Sequence, residues 1–123
     1  MILQGDFYTI KKLQIDNSVV NAELELNAAH RIYEGHFPGQ PLTPGVCMMQ
    51  MVKEIIETVL KRNTKLVRAD DMKFLRMIIP GENNIVQAQL KYTVEESGMI
   101  MVTAALLRDT TTHFKFKGSF MFE

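Results

Sequence analysis

The sequence predicts an α+β domain in which one long helix packs against an antiparallel sheet of about five or six strands. Two observations carry this prediction. One continuous segment suits a helix, and several other segments alternate between apolar and polar residues with short connections between them. With 123 residues and 46% hydrophobic content, the chain can build one core and has no room for a second domain. Residues 1–123 are therefore expected to form a single domain.

The first strand is predicted ahead of the helix. Ala22, Leu24 and Leu26 alternate with Asn and Glu residues across residues 21–27. A period of two is typical of a strand with one buried and one solvated face. We expect this strand to end near residues 28–30.

The helix is predicted from Pro44 to about Arg62. This segment has no Gly or Pro after Gly45 and is rich in Met, Glu, Lys and Leu, which favour helices. At the usual rise per residue it would be about 27 Å long. Thr43 is predicted as the N-cap with Pro44 in the first turn, and Asn63 as the stop signal.

The remaining strands are predicted after the helix, joined as an antiparallel meander. Met99–Arg108 is apolar on both faces, which favours a central position in the sheet. In the last strand, Phe residues alternate with Lys115 and Lys117. The predicted segments are strands at 66–79 and 85–94, turns at 80–84 and 95–98, the strand at 99–108, and a final strand after residues 109–112 that carries Phe114, Phe116, Phe120 and Phe122.

Charge and composition exclude several function classes. Fourteen Lys and Arg residues balance fourteen Asp and Glu residues, and no block of like charge suggests a binder of duplex nucleic acid or of membrane surfaces. The first residues, M-I-L-Q-G-D-F-Y, lack the basic start and apolar stretch of an export signal. The lone Cys47 rules out an intramolecular disulfide. We expect a cytoplasmic location.

Two motifs carry the functional prediction. Residues 35–51 read G-H-F-P-G-Q-P-L-T-P-G-V-C-M-M-Q-M, and D-M-K-F-L-R at 71–76 is followed by P-G-E at 80–82. In order and spacing they resemble the 3-hydroxyacyl-acyl-carrier-protein dehydratases of the FabZ/FabA type. The resemblance implies a hotdog fold, in which a curved sheet wraps one central helix, and it places His36 at the family's catalytic histidine. Where that family carries Glu or Asp fourteen residues later, this chain carries Gln50 (50 − 36 = 14).

The implied reaction is the dehydration of a 3-hydroxyacyl thioester. It needs a base for the C2 proton, a donor to the departing hydroxyl and support for the thioester oxygen. His36 is predicted as the base and the Gly45 N–H, at the start of the helix, as the group that binds the oxygen. Phe37 and Val46 complete the predicted substrate-binding residues. The alternatives are a structural loop histidine and a glycine that serves helix initiation alone.

Gln50 is predicted to be an interior amide that lines the site, because its neighbours along the helix are apolar on every side. An amide can orient a hydroxyl or a water but cannot act as a general acid, a role worth about 10²–10⁴ in rate. The alternative is a solvent-facing stripe of Gln50, Glu54, Glu57 and Lys61.

Three arrangements could supply the missing proton. His36 could shuttle it, a water held by Gln50 could donate it, or Glu54 could reach the site from one turn further along the helix. The last is the weakest of the three, because Glu54 lies about 6 Å further along the helix axis and is expected to be solvated.

Other residues have ordinary explanations beside functional ones. Cys47 is read as a core thiol rather than as a nucleophile paired with His36. His30 and His113 lack a metal-ligand pattern, and no cofactor is implied. The nine methionines either line an acyl tunnel or fill the core. A basic group is read either as a docking site for an acidic carrier protein or as a solvated face: Lys61, Arg62, Lys65, Arg68, Lys73 and Arg76.

The first hypothesis is therefore a dehydratase, or the reverse hydratase, acting on an acyl-carrier-protein or coenzyme A thioester. The resemblance implies a homodimer in which His36 of one protomer faces Gln50 of the partner subunit. A second hypothesis is a non-catalytic acyl-binding subunit that pairs with an active homologue. A third is a hotdog thioesterase.

Overall fold

The computed structural model describes residues 2–35, 42–81 and 83–123. These residues form six strands and two helices. In chain order they are β1 (Tyr8–Asp16), β2 (Val19–Leu26), α1 (Ile32–Gly35), α2 (Gly45–Leu60), β3 (Thr64–Phe74), β4 (Ile85–Val94), β5 (Met99–Arg108) and β6 (Thr111–Phe122).

The described strands form one antiparallel sheet in the order β1-β2-β4-β5-β6-β3. Sequential strands are neighbours except at β3, which pairs with β6 at the far edge although it precedes β4 in the chain. Strand β3 leaves the C-terminal end of α2 and crosses to that edge. One face of the sheet and the helix together enclose the core.

The core confirms the apolar pattern of the sequence. Alternate residues of β2, β4, β5 and β6 are buried, and α2 contributes Met51, Val52, Ile55 and Ile56 without exposure to solvent. The predicted strands at 85–94 and 99–108 have the same bounds in the structure, and β5 lies between β4 and β6 as its two apolar faces indicated. The α+β class and the wrapped helix of the hotdog fold are confirmed.

Two strand predictions differ from the structure. β1 was not predicted, because eight of its nine residues are exposed or half-buried and its sequence has no clear alternation. β3 ends at Phe74 rather than at residue 79. There the chain turns away from β6, although the N–H groups of Leu75 and Arg76 still donate to the His113 carbonyl oxygen at 2.9 and 3.3 Å.

The helix ends also differ from prediction. Pro44, in extended conformation, occupies the N-cap position, and no side chain caps the helix. The Thr43 hydroxyl is instead 3.0 Å from the Tyr33 hydroxyl. At the other end Lys61, not Asn63, stops the helix in a left-handed conformation with φ 58°, and its N–H donates to the Glu57 carbonyl oxygen.

Among the described helices, none has the length and apolar character required to cross a bilayer.

Candidate active site

A cavity of about 410 Å³ opens between the start of α2 and the end of β3. Its lining is mostly apolar and includes Pro44, Gly45 and Met48 from the helix and Phe74, Leu75 and Met77 from the end of β3 and the segment after it. The two motifs singled out in the sequence thus meet at one place. A mostly apolar cavity beside a helix start is a suitable site for an acyl chain that ends in a polar thioester.

Gly45 allows the cavity wall to approach the helix closely. A Cβ at this position would lie 2.8 Å from Cε1 of the Phe74 ring, which is closer than real carbon contacts allow. In the part of the chain that the structure describes, the N–H groups of Gly45 and Val46 have no acceptor, and the helix has no side-chain cap. The start of α2 therefore offers unpaired donors and the positive end of the helix dipole beside the cavity.

The segment that carries His36 and Phe37 lies outside the described residues, and their predicted roles stay predictions. The residues that flank it are tied together: the Tyr33 hydroxyl meets the Thr43 hydroxyl at 3.0 Å, and the Thr43 N–H donates to the Ile78 carbonyl oxygen at 2.9 Å. Tyr33, ahead of residues 36–41, is thus held against Thr43, which directly precedes the N-cap residue of α2.

Val46 points away from the cavity. Its side chain is 75% exposed, and it is not part of the lining described above. A large exposed apolar side chain one residue after Gly45 lies at a position where a second molecule could cover it. Its part in substrate binding stays a prediction.

Gln50 lies one turn further along α2 and is half-buried. Its side-chain nitrogen donates to Oε2 of Glu54 at 2.8 Å, an i, i+4 contact on the same helix face. The amide thus has a hydrogen-bond partner, a carboxylate, but it is half-buried rather than interior. It is not among the residues that line the cavity described above, and its place in the site stays a prediction.

The solvated position expected for Glu54 is wrong. Its side chain has 0% exposure and accepts hydrogen bonds from the start of the chain as well as from Gln50. These other donors are the N–H groups of Ile2, Leu3 and Gln4, at 3.2, 2.9 and 2.8 Å, and the Tyr8 hydroxyl, at 3.1 Å. The sequence offered two signals of a buried Glu54: its place within an apolar helix, and Tyr8 as a possible partner. The hydrogen bonds themselves join residues about fifty positions apart, which no local pattern reveals.

These hydrogen bonds decide the charge of Glu54. Burial works against the ionised form, but the donors from Gln50, Leu3, Gln4 and Tyr8 outweigh burial and lower the pKa of the carboxyl. The same contact helps raise the pKa of Tyr8, for which burial is the larger cause. Glu54 is therefore an ionised acceptor without a proton to give, and it does not fill the role of general acid.

Glu57 also departs from the alternative of a solvent-facing stripe. It is buried, 3.1 Å from Lys53 Nζ, and accepts the Thr64 N–H at 2.7 Å. This carboxylate links the end of α2 to the start of β3. Two of the four positions in that stripe are thus interior, and the stripe interpretation is wrong.

Cys47 is a core thiol, as the ordinary explanation held. It is buried, and burial raises the pKa of its thiol, which opposes the thiolate that a nucleophile requires. Met48 and Met51 are likewise buried in the core, although Met48 also contacts the cavity.

The two described histidines have structural partners. Nδ1 of His30 accepts the Ile32 N–H, so Nε2 carries the proton and donates to Asp6 at 3.0 Å. Nδ1 of buried His113 donates to the Arg76 carbonyl oxygen at 3.1 Å. Within residues 2–35, 42–81 and 83–123, no three His, Cys, Asp or Glu side chains form a group that could hold a metal ion.

Several basic side chains after the helix have partners of their own. Arg68 pairs with Asp70 at 2.6 Å and Lys73 with Asp71 at 3.6 Å, while Arg62 stacks 3.9 Å from the centre of the Phe122 ring. A second cavity of about 480 Å³ shares Arg76 with the first and adds Arg108. Nη1 of Arg108 donates to the carbonyl oxygens of Ile79 and Asn83 at 2.6 and 3.3 Å. Arg76 and Arg108 are the basic side chains in the lining of this second cavity.

Comparison with known proteins assigns a family. A family model described as ApeI-like, for the ApeI dehydratase, matches residues 12–116 of this chain. The match covers both motifs and all strands except the beginning of β1 and the end of β6.

Curated relatives agree with this match at low identity. The chain is 29% identical over 100 residues to the 3-hydroxyacyl-[acyl-carrier-protein] dehydratase FabZ of Streptococcus mutans, which covers 76% of this chain and 69% of that protein. It is 21% identical over 98 residues to FabZ of Xanthomonas euvesicatoria, covering 72% of this chain and 64% of that protein. The match thus spans less than two thirds of the Xanthomonas relative.

A solved structure supports the fold. The dehydratase heterocomplex ApeI:P of Xenorhabdus doucetiae contains a chain that superposes with a TM-score of 0.67 at 22% identity, over 91% of this chain and 96% of that one. Strand order and helix position are therefore those of a known architecture.

Proposed function

Since the chain belongs to the ApeI-like dehydratase family, we propose that it is a 3-hydroxyacyl thioester dehydratase, or works as the reverse hydratase. The observation that supports this most is the start of α2, where the N–H groups of Gly45 and Val46 have no acceptor among the described residues and Gly45 lines a mostly apolar cavity. These donors suit the oxygen of a thioester whose acyl chain enters the cavity.

In the proposed reaction His36 removes the proton from C2 of the substrate. The electron pair moves toward the thioester carbonyl, and the N–H groups at the helix start stabilise the charge that develops on its oxygen. The C2–C3 double bond then forms as the C3–O bond breaks, and the departing hydroxide takes a proton and leaves as water. Because Glu54 is held ionised, that proton is the one taken from C2, and His36 passes it to the hydroxide directly or through a water bound by Gln50.

The acyl group is proposed to arrive as a thioester of an acyl carrier protein or of coenzyme A. Both carry a phosphate on a pantetheine arm, and Arg76 and Arg108 line the cavity next to the site. Guanidinium groups suit phosphate recognition. We propose that the arm enters past these two arginines.

The working unit is proposed to be a homodimer. β3 is an edge strand whose outer backbone groups lack a strand partner among the described residues, and Leu66 and Val67 on it are 41% and 47% exposed. An edge strand with exposed apolar residues is a template for pairing with another chain. In the proposed dimer His36 of one protomer faces Gln50 of the partner subunit, as the resemblance to the FabZ/FabA-type dehydratases implies.

The direct test is turnover of 3-hydroxyacyl and trans-2-enoyl thioesters, on a carrier protein and on coenzyme A. We expect wild-type activity in at least one direction and a loss of about 10²–10⁴-fold in His36→Ala. A wild-type protein without turnover on either carrier would refute the proposal. Release of free thiol without loss of water would instead indicate a thioesterase.

A second candidate function is a partner subunit that supports an active homologue. It is favoured by the absence of a protonated carboxyl beside the site on α2, where an amide and an ionised carboxylate stand instead. The similar ApeI:P complex is itself a dehydratase heterocomplex. Gln50→Glu separates the two candidates: a partner subunit with an intact site should gain dehydration, whereas a dehydratase adapted to the amide should lose part of its activity.

A further inference from the structure

The contact between Gln50 and Glu54 fixes the direction of the Gln50 carboxamide. An ionised carboxylate has lone pairs but no proton to donate, so the group 2.8 Å from Glu54 Oε2 must be the Gln50 nitrogen. In a planar carboxamide the oxygen lies on the opposite side from the nitrogen. The Gln50 oxygen therefore points away from Glu54.

Glu54 cannot easily turn to follow Gln50. Both of its oxygens are held by donors outside α2: Oε1 accepts from the Gln4 N–H and the Tyr8 hydroxyl, and Oε2 from the N–H groups of Ile2 and Leu3. These donors come from the first residues of the chain and from β1. The carboxylate is thus a fixed point to which the Gln50 nitrogen is attached.

The oxygen of Gln50 is left available. Among the described residues it has no hydrogen-bond donor, and the side chain is only half-buried. A ligand at this site would therefore meet the acceptor end of the amide first.

We infer that Glu54 is a positioning residue that makes Gln50 a hydrogen-bond acceptor for the substrate. This inference rests on the proposed function, and it takes the C3 oxygen of the acyl thioester to lie beside Gln50. A 3-hydroxyl can donate to the Gln50 oxygen, whereas a 3-oxo group has only lone pairs and would face another acceptor. The site should accordingly select a hydroxyl at C3 and reject a ketone.

The test measures binding rather than turnover. In the His36→Ala background, dissociation constants of a 3-hydroxyacyl and a 3-oxoacyl thioester of the same chain length are determined by titration calorimetry. We expect the 3-hydroxyacyl thioester to bind at least about fivefold more tightly, the ratio that one ordinary hydrogen bond of about 1 kcal/mol gives.

Glu54→Gln is the decisive variant. An amide at position 54 can donate to the Gln50 oxygen, so Gln50 can turn and present its nitrogen to the ligand. We expect the preference for the hydroxyl to disappear or to reverse toward the ketone. A loss of rigidity alone would weaken both ligands and leave their ratio unchanged.

Two further variants complete the design. Tyr8→Phe removes a different donor from Glu54 at 3.1 Å and leaves the Gln50 contact in place, so the ratio should stay at the parent value. Gln50→Leu removes the amide and should abolish the preference. If thermal unfolding shows that Glu54→Gln does not fold, the parent and Gln50→Leu still decide whether the amide offers its oxygen.

The inference is wrong if the parent shows no preference for the hydroxyl, if Glu54→Gln keeps it, or if Tyr8→Phe loses it as well. Its failure differs from failure of the proposed function. If Glu54→Gln changes the ratio of the two dissociation constants but the wild type has no turnover, only the dehydratase chemistry is refuted. If the wild type is active but Glu54→Gln leaves that ratio unchanged, only the positioning role is refuted.

Discussion

At the scale of single residues, the sequence predicted neither the degree of burial of Gln50 nor its partner. Apolar neighbours on every side indicated an interior amide, whereas the amide is half-buried and donates to a buried carboxylate. The same helical spacing placed Glu54 in solvent, and this was wrong. A buried carboxylate is stable only with enough donors, and here most of them come from residues 2–8, whose contact with α2 no local pattern reveals.

Glu54 should make the stability of the fold depend on pH. Its pKa is lower in the folded protein than its ordinary value of 4.5, so its stabilising contribution is complete above that value and is lost as pH falls through the lower folded value. At pH 7 we expect Glu54→Gln to lower the free energy of unfolding by about 1–3 kcal/mol.

Chemical denaturation of the wild type and of Glu54→Gln, at pH 7 and at pH 3.5 (~1 unit below the ordinary carboxyl pKa), measures this pH dependence. The difference in free energy of unfolding between the two proteins should shrink at the lower pH. The other carboxylates are the same in both, so this change reports on Glu54. A difference that stays constant would show that Glu54 is not held ionised.

At the scale of elements, the helix and the strands that alternate were predictable, and their ends were not. Helix ends depend on tertiary contacts: the Thr43 hydroxyl, free to cap α2 by sequence, is engaged by Tyr33 from the other side of the 36–41 segment. β1, at one edge of the sheet, is exposed or half-buried at eight of its nine positions, so the pattern that marks a half-buried strand is missing from it.

Gly118 in β6 is an element-scale test of the pairing with β3. The register between these strands shifts twice, and a Cβ at Gly118 would collide with the backbone carbonyl oxygen of Arg68. Because backbone atoms cannot move aside cheaply, Gly118→Ala should destabilise the protein by about 1–3 kcal/mol.

Thermal unfolding of Gly118→Ala beside Gly81→Ala measures the effect. Gly81 has nothing within 4 Å of a built Cβ, so the control should unfold near the wild-type temperature. Equal melting temperatures for the two variants would contradict the close approach at the β3–β6 bulge.

At the scale of the whole molecule, hydrophobic periodicity was sufficient for the α+β class, and the motifs for the hotdog architecture. The place of β3 at the far edge, beside β6, was not predictable from the pattern. It depends on pairing between residues far apart in the chain, such as Thr64 with Phe122 (122 − 64 = 58). The site also belongs to this scale, because the two motifs meet only when β3 has crossed to that edge.

The proposed dimer can be tested at the exposed edge. Val67→Lys places a charge on β3 and should raise the dimer dissociation constant by at least tenfold, because an edge lysine opposes strand pairing. Analytical ultracentrifugation over a dilution series provides the measurement. Val94→Lys, at a side chain of similar exposure on β4 (45% against 47%), is the matched control and should dimerise like the wild type.

The hydrogen bonds that Glu54 accepts from residues 2–4 have a consequence for how this segment behaves in solution. Backbone amides without lasting hydrogen bonds exchange their protons quickly. Here the amides of Ile2, Leu3 and Gln4 donate to a carboxylate with no solvent exposure. Hydrogen exchange at these three positions should therefore be slow and should report directly on the support beneath Gln50, about fifty residues away in the chain.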